Sequence, residues 1–129
     1  MIFYPDTQKT TTSNIKDIRV KSIMVDVPTD TLAATVTKAV IRSGATILMV
    51  VMRGHTAFNG TSPTVSVGTA AGSTAIMNAV TAPGATAGSI PAQTFTALGN
   101  LTADTVITTT VGGTTVTAGR CFIDIYYVD

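Results

Sequence analysis

The side chains that could carry out chemistry are few in this sequence and stand far apart. It contains one histidine, His55, and one cysteine, Cys121. A histidine that acts as a general base needs a positioned partner, and a zinc site needs several Cys or His ligands at short spacing. His55 has neither in the sequence, so we interpret it as a structural or surface residue. Cys121 alternates with Ile123 and Ile125, which favours a buried apolar role over that of a nucleophile.

The acidic side chains form no obvious acid–base pair. All seven are aspartates, and five of them stand singly: Asp17, Asp26, Asp30, Asp104 and Asp124. No two have a spacing that would by itself fix a pair of carboxyl groups around a reacting bond. Asp124 is unusual because it interrupts the apolar end of the chain. It is interpreted either as solvent-facing, which we prefer, or as paired with a cation: Arg120, Arg53 or one from a neighbouring chain.

Short motifs add no binding chemistry. Gly112-Gly113 is the nearest approach to a phosphate-binding loop, but no lysine and no predicted helix follow it, so the pair predicts a hairpin turn. Asn59-Gly60-Thr61 and Asn100-Leu101-Thr102 match the glycosylation pattern, and without a secretory signal we interpret both as chance. We therefore predict no catalytic, cofactor-binding or metal-binding residues, no cofactor, and a protein that is not an enzyme.

The charge pattern argues against nucleic acid and membranes as partners. The formal net charge is +1 and the basic residues are dispersed along the chain, which provides no electrostatic footprint for DNA or RNA. No apolar run approaches the roughly 20 residues that cross a bilayer. We expect apolar and backbone contacts, rather than charge pairing, to dominate any association.

The composition indicates an all-β protein. The chain has 129 residues, a length that suggests one domain. Charged residues make up 12% and glutamate is absent, whereas threonine makes up about a fifth, a bias towards half-buried pleated surfaces. With 45% hydrophobic residues and so few charges, the surface is weakly protected against association, which predicts a homo-oligomer.

The elements that must position these side chains are predicted as about eight short strands. The first covers Ile15–Val27 with a bulge near Lys21-Ser22, and the last covers Arg120–Asp129. Leu32, Val36 and Val40 have helical spacing, but β-branched residues favour a strand from about Val36. The remaining predicted strands are Ala45–Phe58, Pro63–Gly68, Thr74–Val80, Gln93–Leu98 and Asp104–Val111.

Ala45–Phe58 is predicted to be the central strand, because its first half is almost entirely apolar and therefore typical of a strand buried on both faces. Asn59-Gly60 is a strong turn signal, which predicts a return into the half-exposed strand Pro63–Gly68. The whole pattern predicts a single-domain antiparallel β-sandwich over residues 15–129, similar to an eight-stranded jelly roll. Residues 1–14 are predicted to form an extended N-terminal arm.

One stretch resembles a known group of proteins. Thr56-Ala57-Phe58-Asn59-Gly60-Thr61-Ser62-Pro63-Thr64-Val65-Ser66-Val67-Gly68-Thr69-Ala70 is similar to a segment of small capsid decoration, or cement, proteins of tailed bacteriophages. Thr117-Ala118-Gly119 before the closing strand resembles the same group, and the resemblance covers roughly Thr35 to Asp129. It implies a β-sandwich or jelly-roll virion protein, often a homotrimer, on the capsid surface after assembly in the host cytoplasm. It implies the major capsid protein as partner and no catalytic residues.

Two further interpretations concern binding. Ile2, Phe3 and Tyr4 are large side chains separated from the first strand by a polar tract, so we expect them to contact a sister subunit or the shell protein beneath. The alternative function is a carbohydrate-binding or adhesin-type β-sandwich module of a virion. Sugar sites usually stack on exposed aromatic rings, and here aromatics are 5% with no tryptophan, which counts against it.

Overall fold

Seven antiparallel strands form two sheets in the computed structural model, which describes residues 17–84, 90, 95–96 and 98–129. The strands are β1 (Arg19–Val27), β2 (Thr35–Ile41), β3 (Thr46–Thr56), β4 (Thr61–Thr69), β5 (Gly72–Thr81), β6 (Thr105–Thr114) and β7 (Gly119–Val128). The described residues contain no helix, and hence none that could cross a membrane. The all-β prediction is confirmed. The arm and most of the predicted strand Gln93–Leu98 lie outside the described residues.

The strand order is that of a jelly roll. One sheet has the order β1-β7-β3 and the other has the order β2-β6-β4-β5. The first three strands alternate between the sheets, and the last two strands insert between earlier ones, as in paired Greek keys. An eight-stranded jelly roll has one more strand, beside the position of β3, than the seven found among the described residues. There the described residues supply one bridge, between Thr46 and Asn100.

The core lies between the two sheets and is lined by alternating residues from both. On β7 the predicted inward face is confirmed, since Cys121, Ile123 and Ile125 are fully buried. On β6, Ile107 and Val111 are buried as well. The opposing strands contribute Ile23, Val25, Val27, Ile47, Val50, Met52, Val65, Val67, Ile76 and Met77.

Among the described strands, Ala45–Phe58 does not take the predicted central position. In the order β1-β7-β3 the strand β7 is central and β3 lies at the edge, where it pairs with β7 along its length and with Asn100 at one bridge. Its apolar run is shared between two faces: Ile47 and Val50 are buried, whereas Leu48 and Met49 are 45% and 43% exposed. A register shift between Ile47 and Met49 makes this possible, because the additional residue reverses the alternation.

The predicted hairpin at Asn59-Gly60 is also wrong, because β3 and β4 belong to different sheets. The segment crosses between sheets, and the Asn59 side chain fixes the crossing. Its Oδ1 accepts hydrogen bonds from the backbone N–H groups of Thr117 and Ala118 at 2.8 and 3.0 Å. The Asn59-Gly60 turn signal therefore lies in a connection between the sheets, and the Asn59 side chain links this connection to the loop before β7.

Two other local predictions, the turn at Gly112-Gly113 and the bulge in the first strand, are also wrong. Gly112 and Gly113 lie within β6, not in a turn. Glycine is needed at position 112 because a Cβ there would lie only 2.6 Å from the Thr64 hydroxyl of the neighbouring strand. The bulge predicted near Lys21-Ser22 is absent, since β1 pairs with β7 in one continuous register. Apolar residues before and after that point simply occupy opposite faces of a regular strand.

Candidate functional site

The outer face of the three-stranded sheet, which is the face turned away from the core, exposes several large apolar side chains. Cross-strand pairing arranges its side chains in rows. The rows are Val20–Tyr126–Met49, Ser22–Asp124–Val51, Met24–Phe122–Arg53 and Asp26–Arg120–Thr56. Val20, Met24 and Met49 are 52%, 42% and 43% exposed. A face that combines exposed methionine, aromatic and arginine side chains has the composition of the centre of a protein interface.

A charged pair lies at the centre of this outer face, and here the preferred interpretation of Asp124 as solvent-facing is wrong. Asp124 is 7% exposed. The Arg53 Nε donates to one carboxylate oxygen at 2.6 Å, and the Ser22 hydroxyl donates to the other at 2.7 Å. Burial by itself raises the pKa of the Asp124 carboxyl, but the hydrogen bonds from Arg53 and Ser22 and the Arg53 charge together lower it below the ordinary value.

His55 belongs to the border of the same face. It is exposed, its Nδ1 lies 2.9 Å from the Thr56 hydroxyl, and its ring meets Phe122 edge-on with centroids 5.9 Å apart. The Arg53 guanidinium lies over the Phe122 ring, 4.8 Å from its centroid, an arrangement that favours both groups. A hydroxyl and a phenyl ring position the imidazole but do not activate it as a base.

Three other aspartates, Asp26, Asp30 and Asp104, take structural roles. Asp26 pairs with Arg120 at 3.1 Å, and Asp30 pairs with Lys38 at 2.7 Å. Asp104 accepts a hydrogen bond from the Ser43 backbone at 2.9 Å, whereas Asp17 is exposed. Within the described ranges, no three His, Cys or Asp side chains are grouped closely enough to hold a metal ion.

Cys121 is fully buried, and its surroundings suppress ionisation. Burial raises the pKa of its thiol to about 12, and the charge of Asp30 raises it while that of Lys38 opposes the rise. Since the thiolate is the reactive form, we expect native protein at mildly alkaline pH to react with an aromatic disulfide reagent only as fast as it unfolds. Complete reaction in concentrated guanidinium chloride is the control. Rapid stoichiometric labelling of the native protein would contradict the burial.

A second surface feature lies at the end of the sandwich. A cleft of about 330 Å³ opens between the edges of the two sheets, with these lining residues: Arg19, Lys21, Val40, Arg42, Tyr127 and Asp129. We call it the cationic cleft. The basic residues are dispersed along the sequence, but the register of β1 and the end of β2 bring three of them together. The two-residue spacing of Arg19 and Lys21 places both on one face of a strand, whereas no short-range spacing in the sequence indicates that Arg42 joins them. The predicted contact residues Ile2, Phe3 and Tyr4 lie outside the described residues.

The fold of this chain, but not its sequence, matches that of a known protein. No protein-family profile matches the sequence, and no curated protein sequence does. The fold is similar to that of a chain in a solved structure described as the cyanophage Pam1 capsid asymmetric unit, with a TM-score of 0.70 and 22% sequence identity. The similarity covers 88% of this chain and 85% of that chain. At this level of identity, it establishes that the two chains share a fold.

Proposed function

We propose that this protein is a structural protein of a phage virion: a decoration, or cement, protein that stabilises the head by binding across subunits of the major capsid protein. The observation that carries the proposal is the fold shared over nearly the whole length of both chains with a chain from a capsid asymmetric unit. Fold alone does not imply function. The exposed apolar outer face supports the proposal, because an assembly that covers this face would remove it from water.

We further propose that the protein is a homotrimer that performs no catalysis, and that Ile2, Phe3 and Tyr4 contact a neighbouring chain. A cyclic trimer requires two different, mutually complementary patches on each subunit. The outer face is one continuous surface across β1, β7 and β3 and therefore supplies a single patch, not the two that a cyclic trimer needs. We assign it to the contact with the shell protein and not to the contact with the sister subunit. Its exposed methionines, Met24 and Met49, are suited to this contact because flexible thioether side chains adapt to irregular surfaces.

The test is a charge placed on the outer face. Met49→Asp should reduce occupancy of shells prepared without this protein by about tenfold or more, because an unpartnered carboxylate buried against the shell costs roughly 2 kcal/mol or more and each 1.4 kcal/mol is tenfold in affinity. Thr37→Asp is the matched control, since Thr37 is also an exposed strand residue but belongs to the other sheet. Co-sedimentation with shells measures occupancy.

Native mass spectrometry of the same samples separates the two contacts. Both variants should remain trimeric, because the outer face is assigned to the shell. Equal shell occupancy for Met49→Asp and Thr37→Asp would contradict the assigned face. A monomer at micromolar concentration for the unmodified protein would contradict the trimer.

A further inference from the structure

The cationic cleft lies where the sandwich interior opens between the edge strands β1 and β2. Arg19 and Lys21 occupy the same face of β1 as the buried Ile23. Tyr127 likewise continues the inward face of β7 and packs partly against the core. At this end of the sandwich, therefore, the inward positions of β1 change from aliphatic to cationic, and they line a cleft together with Val40 of β2 in the opposite sheet.

The ion pairs of the described residues leave an excess of positive charge in this cleft. Lys38, Arg53 and Arg120 each pair with an aspartate elsewhere. Lys21 and Arg42 have no carboxylate within ion-pair distance among the residues that the structure describes, and both line the cleft. Arg19 pairs with Asp129 at 3.1 Å, but both side chains remain largely exposed at 60% and 42%. Among the lining side chains, three cations thus stand against one aspartate.

We propose that the cationic cleft binds side-chain carboxylates of an acidic segment on a partner protein. An arginine guanidinium matches a carboxylate with two parallel hydrogen bonds, and a lysine ammonium adds a mobile point charge. Arg42 and Lys21 supply one group of each kind. Val40 and Tyr127 supply apolar walls on which the aliphatic part of an aspartate or glutamate side chain would pack.

A protein segment fits this cleft better than a nucleic acid does. Phosphate backbones bind along extended tracks of cations, with stacking platforms for single strands. Outside the cleft, each cation of the described chain is already paired with an aspartate, so the described residues form no such track. The proposal goes beyond the proposed role on a capsid and holds or fails independently of it, because the isolated protein suffices for the test.

The test uses a capped hexaglutamate peptide as the probe and amide NMR of the labelled protein as the readout. The variant Lys21→Gln/Arg42→Gln removes two cleft charges, and Ala33→Asp/Thr115→Asp is the matched control with the same change in net charge. Ala33 and Thr115 are exposed and have φ values of 68° and 57°, a backbone region that aspartate tolerates well. We expect saturable shifts at the cleft amides, binding about tenfold or more weaker in the cleft variant, and little change in the control.

Several outcomes would overturn the proposal. They are the absence of saturable shifts at the cleft, or an equal loss of binding in both variants, which would indicate a response to net charge alone. Equal or tighter binding of a hexathymidine oligonucleotide would assign the cleft to nucleic acid. Identical shifts with sodium acetate at the same carboxylate concentration would assign it to free small anions and not to a protein segment.

Discussion

Replacing Asp30 with alanine is expected to reduce the free energy of unfolding by about 3–5 kcal/mol, the usual cost of removing one partner from a buried ion pair. Asp30 is only 4% exposed. Its two carboxylate oxygens accept from the Lys38 ammonium at 2.8 and 2.7 Å, and one of them also accepts from the Asp26 backbone N–H at 2.9 Å. Without the carboxylate, the Lys38 ammonium would remain in a largely buried position with no compensating charge.

The surface pair of Arg19 and Asp129 is the matched control. Its side chains are 60% and 42% exposed, so Asp129→Ala should cost about 0–1 kcal/mol. The double variant Asp30→Ala/Lys38→Met should recover much of the loss, because it leaves no buried charge unpaired. Urea unfolding followed by circular dichroism measures all three. A cost for Asp30→Ala no larger than that for Asp129→Ala would contradict the buried pair.

The sequence predicted the strands themselves well, since their evidence is local. The alternation of Cys121, Ile123 and Ile125 identified the inward face of β7, and the β-branched residues after Thr35 identified β2 against a competing helical spacing. Which strands pair with one another could not be predicted from local patterns. Each sheet of a jelly roll joins strands distant in the chain, and a turn signal such as Asn59-Gly60 is compatible with either a hairpin or a crossing between sheets.

The candidate surfaces were harder to predict because they depend on register between distant strands. Asp124 and Arg53 are 71 residues apart in sequence, and Arg53 was only one of several cations that could be expected to pair with Asp124. The cationic cleft escaped prediction altogether, because Lys21 lies on β1 whereas Arg42 directly follows the end of β2, and these are edge strands of different sheets. A protein with a net charge near zero can therefore still have a local excess of positive charge, because the cations outside the cleft are paired with aspartates.

Gly68→Ala is expected to be the second severe substitution, with a loss of about 3 kcal/mol or more in the free energy of unfolding. A Cβ at this position would lie 2.3 Å from the carbonyl oxygen of Gly72 and 2.3 Å from the carbonyl carbon of Ser73. Both atoms belong to the backbone of the following strand, where the β4–β5 register shifts between Val67 and Thr69. A flexible side chain could move aside, but here the pairing of β4 with β5 would have to change.

Gly84→Ala is the control for this substitution, because a Cβ at Gly84 would have no neighbouring atom within 4 Å and its φ is not in the left-handed region. An alanine there should be neutral or stabilise by about 0.4–1 kcal/mol through the unfolded chain. Thermal unfolding should therefore place Gly68→Ala about 10 °C or more below the unmodified protein, with Gly84→Ala at or slightly above it. Similar melting temperatures for the two variants would mean that β4 and β5 do not approach each other as closely as Gly68 requires.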